Sequence, residues 1–112
     1  MENNTAKIDM EQVAMELISK SGEARSLAFQ ALQEAKAGRT DEAALLMKES
    51  LICSKQAHKA QSKLLFSESE GNKTEITVLL IHAQDHLMNS LLAQELIKEI
   101  IELHESKADK SN

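Results

Sequence analysis

Ala37-Gly38-Arg39-Thr40-Asp41-Glu42 is the stretch that decides the fold, because it ends one helical segment and begins the next. Gly38 suits the left-handed position just beyond a helix C-terminus, since it lacks a Cβ. Thr40 is a favourable N-cap for the following helix, and Asp41 and Glu42 then lie at the positive end of its dipole. The stretch therefore predicts a tight connection between two antiparallel helices.

Apolar residues recur at helical spacing on both sides of this turn, so a helix is predicted on each side. The first follows a polar stretch, residues 1–8, that we expect to fray. The second extends to about Phe66. The positions that carry the two stripes are Val13, Leu17, Ala24, Ala28, Ala31 and Ala35, and then Ala43, Met47, Leu51, Ser54, Ala57 and Leu64.

Gly22 interrupts the first segment, at a cost to helix continuity of about 1 kcal/mol. One interpretation ends the helix there. The other, which the alanine spacing beyond it favours, is that Gly22 and Ala24 allow a neighbouring helix to approach closely. We therefore predict a continuous first helix.

A third helix is predicted after the polar stretch Ser67-Glu68-Ser69-Glu70-Gly71. Asn72 followed by Glu75 has the spacing of a capping box, so the helix is expected to begin near these residues. It extends to about Glu105, and the polar end, residues 106–112, is predicted to be disordered. The sequence thus predicts one domain over residues 1–112, ordered from about 10 to 105, as an all-α antiparallel bundle of three helices that run up, down and up.

The composition fits an all-helical domain that associates with copies of itself. Proline is absent, there are 3 glycines, and 42% of the 112 residues are hydrophobic although 2% are aromatic. A thin bundle with a core of small aliphatic residues buries little surface alone. The third helix is also apolar nearly all round between Ile76 and Leu92, which is more than two sister helices can cover. Symmetric copies of the chain are the simplest cover for the remaining face.

Charge and hydropathy exclude several classes of partner. A net charge of −5 with scattered basic residues argues against nucleic acid, whose phosphates attract clustered Lys and Arg. Neither a signal peptide nor an uncharged apolar run of membrane-spanning length is recognisable, so a cytoplasmic protein without membrane insertion is predicted. Cys53, the single cysteine, is interpreted as a small buried residue in preference to a reactive thiol.

Two histidines and an aspartate interrupt the apolar run Val78-Leu79-Leu80-Ile81-His82-Ala83-Gln84-Asp85-His86-Leu87-Met88. His82, Asp85 and His86 fall on one side of the helix, within a stripe that is otherwise suited to packing. Burying an ionisable group without a partner is costly, and Asp85 has no lysine or arginine within a helical turn. A cation or a proton must therefore compensate its charge.

His82 and His86 have the i, i+4 spacing with which helical histidines chelate a transition metal. Ala83 stands where a zincin helix needs its glutamate, so a zinc hydrolase is disfavoured. The alternative is nucleophilic chemistry, in which a neutral imidazole nitrogen takes up a phosphoryl group as a labile phosphoramidate. His86 also suits a satisfied core histidine, and Gln84 an ordinary solvent or interface amide. The other histidines, predicted to be surface residues, are His58 and His104.

Four segments carry a family resemblance: His82-Ala83-Gln84-Asp85-His86-Leu87-Met88, Leu92-Ala93-Gln94-Glu95-Leu96-Ile97, Ile101-Glu102-Leu103-His104-Glu105 and, in the first helix, Ser21-Gly22-Glu23-Ala24-Arg25-Ser26-Leu27-Ala28. In these segments the chain resembles the IIA component of the lactose/cellobiose (diacetylchitobiose) class of the bacterial sugar phosphotransferase system. The resemblance covers about residues 10–105, and the histidine motif is quite specific to that family.

This resemblance implies a homotrimer of three-helix protomers, with nine helices around one axis. His82 aligns with the family's phosphorylated histidine, which accepts phosphate on Nε2 from the histidine-containing phosphocarrier protein and donates it to a cysteine of the IIB component. Asp85 aligns with the aspartate that meets its two symmetry mates at the axis and holds a divalent cation, magnesium in the family. Gln84 and His86 are then supporting residues of the site.

The resemblance leaves the sugar open among cellobiose, lactose and diacetylchitobiose, because in this class the membrane IIC component binds it. The group that meets the phosphoryl charge also stays open, since no arginine clamps His82; Gln84, a neighbouring protomer and solvent are the candidates. The alternative to a phosphocarrier is a non-catalytic helical scaffold or metal-binding trimer whose histidines are structural. Uptake of one phosphate by the protein distinguishes these two classes.

Overall fold

Three long helices make up the protein in a computed structural model that describes residues 9–110. Helix α1 spans Met10–Lys36, α2 spans Thr40–Ser69 and α3 spans Val78–Lys110, and these residues include no strand. The predicted all-α order of three helices is confirmed. None of the three combines the length and the apolar character that a membrane span requires. The predicted fraying of residues 1–8 lies outside the described residues.

The end of α1 is closed by the left-handed glycine that the sequence predicts. Gly38 has φ of 86°, a conformation that costs a residue with a Cβ about 1 kcal/mol or more. Its N–H donates to the carbonyl oxygen of Ala35, and the N–H of Arg39 donates to that of Glu34. These two bonds form a Schellman motif, which satisfies carbonyls that the helix itself leaves without a donor.

The start of α2 differs from the prediction. Arg39, not Thr40, is the N-cap, and no side chain caps the helix there. The N–H of Arg39 is already bonded to the last turn of α1, and its guanidinium pairs with the Glu34 carboxylate, which lowers the pKa of that carboxyl. Thr40 is therefore the first helical residue, so its prediction as N-cap is wrong. Asp41 and Glu42 lie in the first turn as predicted.

A second Schellman motif ends α2 three residues beyond the predicted Phe66. Gly71 has φ of 93°, and its N–H donates to the carbonyl oxygen of Glu68. The N–H of Asn72 donates to the carbonyl oxygen of Ser67, and the Asn72 side-chain amide to the Ser67 hydroxyl. Asn72 therefore belongs to the end of α2.

The capping box predicted from Asn72 and Glu75 is wrong, because Asn72 is bonded to the end of α2. Helix α3 begins at Val78, where the Thr77 hydroxyl accepts a hydrogen bond of 3.1 Å from the Leu80 N–H. At its other end α3 continues to Lys110. The predicted disorder of residues 106–112 is thus wrong for 106–110, which are helical, and 111–112 lie outside the described residues.

The core lies where α2 and α3 both pack against α1, and small residues dominate it. Ala24, which is completely buried, belongs to this contact as predicted. Gly22 does not, because a Cβ built there would meet no atom within 4 Å. Cys53 is buried, 7% exposed, which confirms its interpretation as a packing residue. The other largely buried apolar residues include Ala14, Leu17, Ala28, Ala31, Ala57, Ala60, Ala83 and Leu87.

Buried polar side chains fix the helices to one another at mid-length. The Ser90 hydroxyl on α3 donates to the carbonyl oxygen of Ser21 on α1 over 2.8 Å. The Ser50 hydroxyl on α2 donates to the carbonyl oxygen of Ala24 on α1. Gln94 on α3 donates to Ser50, so all three helices are linked. A change of helix register breaks these bonds, and the layer therefore fixes the height at which the α3 histidines stand.

Candidate functional site

One face of α3 is left uncovered by the other two helices. Its large apolar side chains recur at intervals of three, four or seven residues, which places them in a single stripe. Each is at least 47% exposed, although contiguous apolar surface of this extent is unusual on a lone chain. We call this the α3 stripe; it comprises Val78, Ile81, Met88, Leu92, Leu96, Ile100 and Leu103.

His82 lies at one edge of this stripe and His86 just beyond that edge, and the two rings contact each other. The two Nε2 atoms are 3.1 Å apart, and the ring centroids are 4.5 Å apart with the rings nearly perpendicular, at 89°. His82 is exposed and His86 is half-buried. One ring donates its Nε2 proton and the other accepts it, and either tautomer satisfies the pair. The site therefore presents an imidazole nitrogen that incoming molecules can reach, with a second imidazole next to it.

Asp85 lies on the α3 stripe itself, between Ile81 and Met88. It is exposed in the single chain, and within residues 9–110 its side chain makes no hydrogen bond or ion pair. In the same residues no three metal-ligating side chains come together. A single protomer thus supplies one carboxylate for a cation and no further protein ligand.

Gln84 points away from the histidines and towards α2. Its side-chain carbonyl accepts a hydrogen bond of 2.8 Å from the Gln61 amide of α2. Residues two apart on a helix face different sides, so this bond holds Gln84 away from His82 within the protomer. Sequence reasoning missed Gln61, because only the packed bundle brings the two amides together.

The remaining candidates from the sequence lie apart from this site. His58 and His104 are exposed and isolated, which confirms their prediction as surface residues. A cavity of about 170 Å³ lies between α2 and the far end of α3, where Met47, Lys98 and Ile101 line it. A second groove nearby is lined by Leu51, Leu91 and other residues. Neither of these two cavities includes a histidine.

A comparison with protein families gives one match that covers most of the chain. Residues 12–105 match the family described as "PTS system, Lactose/Cellobiose specific IIA subunit". This range contains His82, Gln84, Asp85 and His86.

Curated relatives and solved structures agree with that match. The chain is 45% identical to the N,N'-diacetylchitobiose-specific EIIA component of Escherichia coli K12, over 93% of this chain and 90% of the relative. Its fold is similar to the crystal structure of the cellobiose-specific enzyme IIA of Bacillus anthracis, with a TM-score of 0.89 and 45% identity over 96% and 99% of the two chains. It is also similar to IIA(Chitobiose) of E. coli, solved in complex with HPr, with a TM-score of 0.77 and 44% identity over 91% and 99%.

Proposed function

The chain belongs to the family of lactose/cellobiose-specific IIA subunits of the phosphotransferase system, and on this premise we propose that His82 is the residue that carries its phosphoryl group. As a IIA component the protein is a phosphotransferase component that accepts a phosphoryl group from HPr. The observation that carries the proposal is the exposure of the His82 ring beside a second imidazole. An exposed nitrogen can meet a donor held on another protein.

Acceptance requires a neutral His82 whose proton is on Nδ1 and whose Nε2 lone pair is free. In that state Nε2 attacks the phosphorus of phospho-HPr, the new N–P bond forms, and the bond to the donor histidine breaks with its electron pair left on the donor. The contact with His86 selects this tautomer when His86 bears the Nε2 proton, because His82 Nε2 is then the acceptor. His86 must give up this bond as the phosphorus approaches.

His86 is the group in this protomer that meets the phosphoryl charge. Its Nε2 lies 3.1 Å from the accepting nitrogen, so a phosphoryl oxygen on His82 comes within reach of its N–H. A hydrogen bond from the imidazole N–H to the charged phosphoryl oxygen is charge-assisted and therefore strong. Gln84, held by Gln61, acts indirectly, because its bond fixes the turn of α3 that bears both histidines.

Donation reverses the chemistry towards a cysteine of the IIB component. The thiolate sulfur attacks the phosphorus, the S–P bond forms, and the N–P bond to His82 breaks. His82 is returned to its neutral state and the cycle begins again. The protein thereby serves as the cytoplasmic carrier for coupled uptake and phosphorylation of a disaccharide of the diacetylchitobiose, cellobiose or lactose class.

The α3 stripe is the surface through which three protomers associate. Its apolar side chains are exposed to solvent in a single chain, and three copies packed about a common axis bury them along most of the length of α3. Nine helices then form the assembly. His82 lies at one edge of the stripe, in line with Ile100, and His86 lies just beyond it, so His82 is placed at the rim of the interface where a partner protein can reach it.

Asp85 then faces its two symmetry mates across the axis. Three carboxylates in an apolar layer repel one another unless a cation or protons compensate them. Oxygen ligands of this kind fit a hard divalent cation such as Mg²⁺, which keeps several of its waters. The lack of any cationic partner for Asp85 within residues 9–110 supports this assignment. The cation serves assembly, and His82 takes up and releases phosphate by the chemistry of its own ring.

The test of this function is a phosphorylation assay with phosphoenolpyruvate, enzyme I and HPr. We expect the intact protein to gain the mass of one phosphate, and His82→Gln to gain none while its helix content stays unchanged. His58→Gln is the matched control and should accept phosphate like the wild type. Phosphate uptake that survives in His82→Gln and is lost in His86→Gln would assign the other histidine. No uptake by the wild type would favour the scaffold alternative.

A further inference from the structure

We propose that His82 and His86 together chelate a transition-metal cation such as Zn²⁺, and that this cation and the phosphoryl group exclude each other from the protein. The chelation rests on the geometry of the two rings. The exclusion rests in addition on the proposed function, because it requires that His82 is the phosphoryl acceptor.

The distance between the two ring nitrogens suits a shared metal. Zn–N bonds are about 2.0–2.1 Å, so two nitrogens at a tetrahedral angle stand about 3.3 Å apart. The two Nε2 atoms are 3.1 Å apart already. Residues four apart on a helix are neighbours on one face, so the helix holds both rings before any metal arrives. The conformational entropy lost when the two side chains bind a metal is therefore small.

The two rings are free to bind. Within residues 9–110 each has the other as its hydrogen-bonding partner, and no carboxylate or carbonyl competes for either Nε2. The position of one proton and the orientation of the rings separate the observed pair from a chelate. The ring that bears it on Nε2 must take the Nδ1–H tautomer, or release the proton to solvent if it is cationic. Once both rings have turned so that their Nε2 lone pairs converge on the metal, water completes its coordination.

The ligand type separates this site from the one proposed at Asp85. Imidazole nitrogen favours Zn²⁺, Cu²⁺ and Ni²⁺, whereas carboxylate and water favour Mg²⁺. Asp85 lies on the α3 stripe and the histidines lie at its edge and just beyond, so one protomer presents two metal preferences on adjacent sides of one helix. Mg²⁺ at the axis therefore leaves the histidine pair unoccupied.

Exclusion follows from the use of a single lone pair. A phosphoryl group on Nε2 of His82 consumes the electron pair that the metal needs. A metal on the same nitrogen removes the nucleophile in return. By linkage, each ligand must weaken the other. A cell with excess transition metal thereby slows this carrier, and phosphate loading protects the pair from the metal.

The chelation is tested by calorimetric titration of the intact protein with Zn²⁺ in the presence of Mg²⁺. We expect one Zn²⁺ per protomer, and affinity reduced about tenfold or more in both His82→Gln and His86→Gln, because each variant turns a bidentate site into a monodentate one. His58→Gln and His104→Gln are the matched controls and should bind as the wild type does. Unchanged affinity in His86→Gln, or a loss in His58→Gln equal to that in His86→Gln, would overturn the chelate.

The exclusion is tested by phosphoryl transfer from purified phospho-HPr without enzyme I, so that no other metal-dependent enzyme is present. Saturating Zn²⁺ should abolish transfer to the wild type, and protein phosphorylated beforehand should lose its Zn²⁺ affinity. Full transfer at saturating Zn²⁺ would overturn the exclusion and leave the chelate standing. Zn²⁺ binding in a protein that never accepts phosphate would refute the proposed function instead.

Discussion

Gln94 of α3 donates hydrogen bonds from its side-chain nitrogen to both the carbonyl oxygen and the hydroxyl of Ser50 in α2, over 3.0 and 2.8 Å, and both residues are buried. Since the Ser50 hydroxyl donates to α1 in turn, this pair links α3 to the rest of the bundle. We predict that Gln94→Ala lowers the free energy of unfolding by about 2 kcal/mol, from lost hydrogen bonds and the cavity left behind. Urea denaturation at fixed protein concentration measures the change.

Gln94→Met separates the two causes, because methionine has a similar volume and no amide. We expect it to lower the free energy of unfolding by about 1 kcal/mol, the loss that remains when the hydrogen bonds are removed and the space is filled. Wild-type stability in both variants would show that the polar layer contributes nothing to the fold.

Gly38 offers a second test, because its φ of 86° is one that side chains with a Cβ avoid. We predict that Gly38→Ala lowers the free energy of unfolding by about 1 kcal/mol, since alanine is strained in this conformation. Thermal unfolding followed by circular dichroism should show the lower midpoint.

Gly22→Ala is the matched control, with the opposite sign. Gly22 is in the middle of α1, and a Cβ there meets no atom within 4 Å. Alanine at an exposed helical site is favoured over glycine by about 1 kcal/mol, so the midpoint should rise. A fall in Gly22→Ala would mean that another protomer packs against this position.

The ends of the helices differ in how well the sequence predicts them. Gly38 was predictable because a helix end is a local event, decided by a few adjacent residues. The start of α3 was not predictable, because Asn72 could either cap α3 or end α2. In the structure it belongs to the Schellman motif that ends α2. Thr77, which does cap α3, offers a weaker sequence signal because no capping glutamate follows it.

In the candidate site, too, some features could be predicted from local sequence and others depend on how the helices pack. His82, Asp85 and His86 could be placed on one helix side from spacing alone, and their mutual position follows from α-helical geometry. The bond between Gln61 and Gln84 could not, because these residues are far apart in sequence and meet through the packing of α2 on α3. The apolar face of α3 predicts cover by copies of the chain, but what lies opposite Asp85 in the proposed trimer cannot be determined from the spacing of residues within one helix.

Cys53 provides a prediction on pH. Burial, followed by the nearby Glu23 carboxylate, raises the pKa of its thiol. A raised folded-state pKa means that the stability present below the ordinary thiol pKa is lost as the pH rises through the raised value, because the unfolded chain ionises first. We therefore expect the free energy of unfolding to decline with alkaline pH, and to decline less in Cys53→Ala. Denaturant titrations at a series of alkaline pH values measure both slopes.

The same thiol reports on opening of the bundle. Since it is protonated and 7% exposed, its reaction with iodoacetamide at neutral pH should be much slower in the folded protein than in urea. The chain has one cysteine, so the modification is counted without ambiguity by mass. Equal rates in both states would contradict the packing of α2 against α1.

The two protein partners should use overlapping surfaces. His82, the proposed phosphoryl acceptor, is exposed on one side of α3, and a single acceptor atom is reached from that side alone. We predict that HPr and the IIB component perturb the same set of amide resonances around His82 in chemical-shift mapping, and that they compete for binding. Footprints at opposite ends of the bundle, or a ternary complex, would contradict this prediction.

Asp85→Leu tests the assembly proposed for the α3 stripe. If three carboxylates meet at the axis, leucine replaces a charged layer by a packed apolar one, and the exchange of buried ionic groups for hydrophobes is often neutral or stabilising by about 1–4 kcal/mol. We therefore expect Asp85→Leu to remain trimeric in analytical ultracentrifugation and to melt at the same temperature as the wild type or above it.

A chelator identifies the contribution of the cation. A ligand that binds only the folded assembly stabilises it by mass action, so EDTA at neutral pH should lower the melting temperature of the wild type and leave that of Asp85→Leu unchanged. His86→Gln lacks the proposed histidine chelate and is therefore the control for metal bound to the two histidines. In Mg²⁺ buffer, EDTA should lower its melting temperature as much as that of the wild type. A wild type indifferent to EDTA would mean that protons compensate the carboxylates or that they do not converge. Sedimentation of Asp85→Leu as a monomer would overturn the packing of the stripe itself, because the carboxylate layer would then drive assembly.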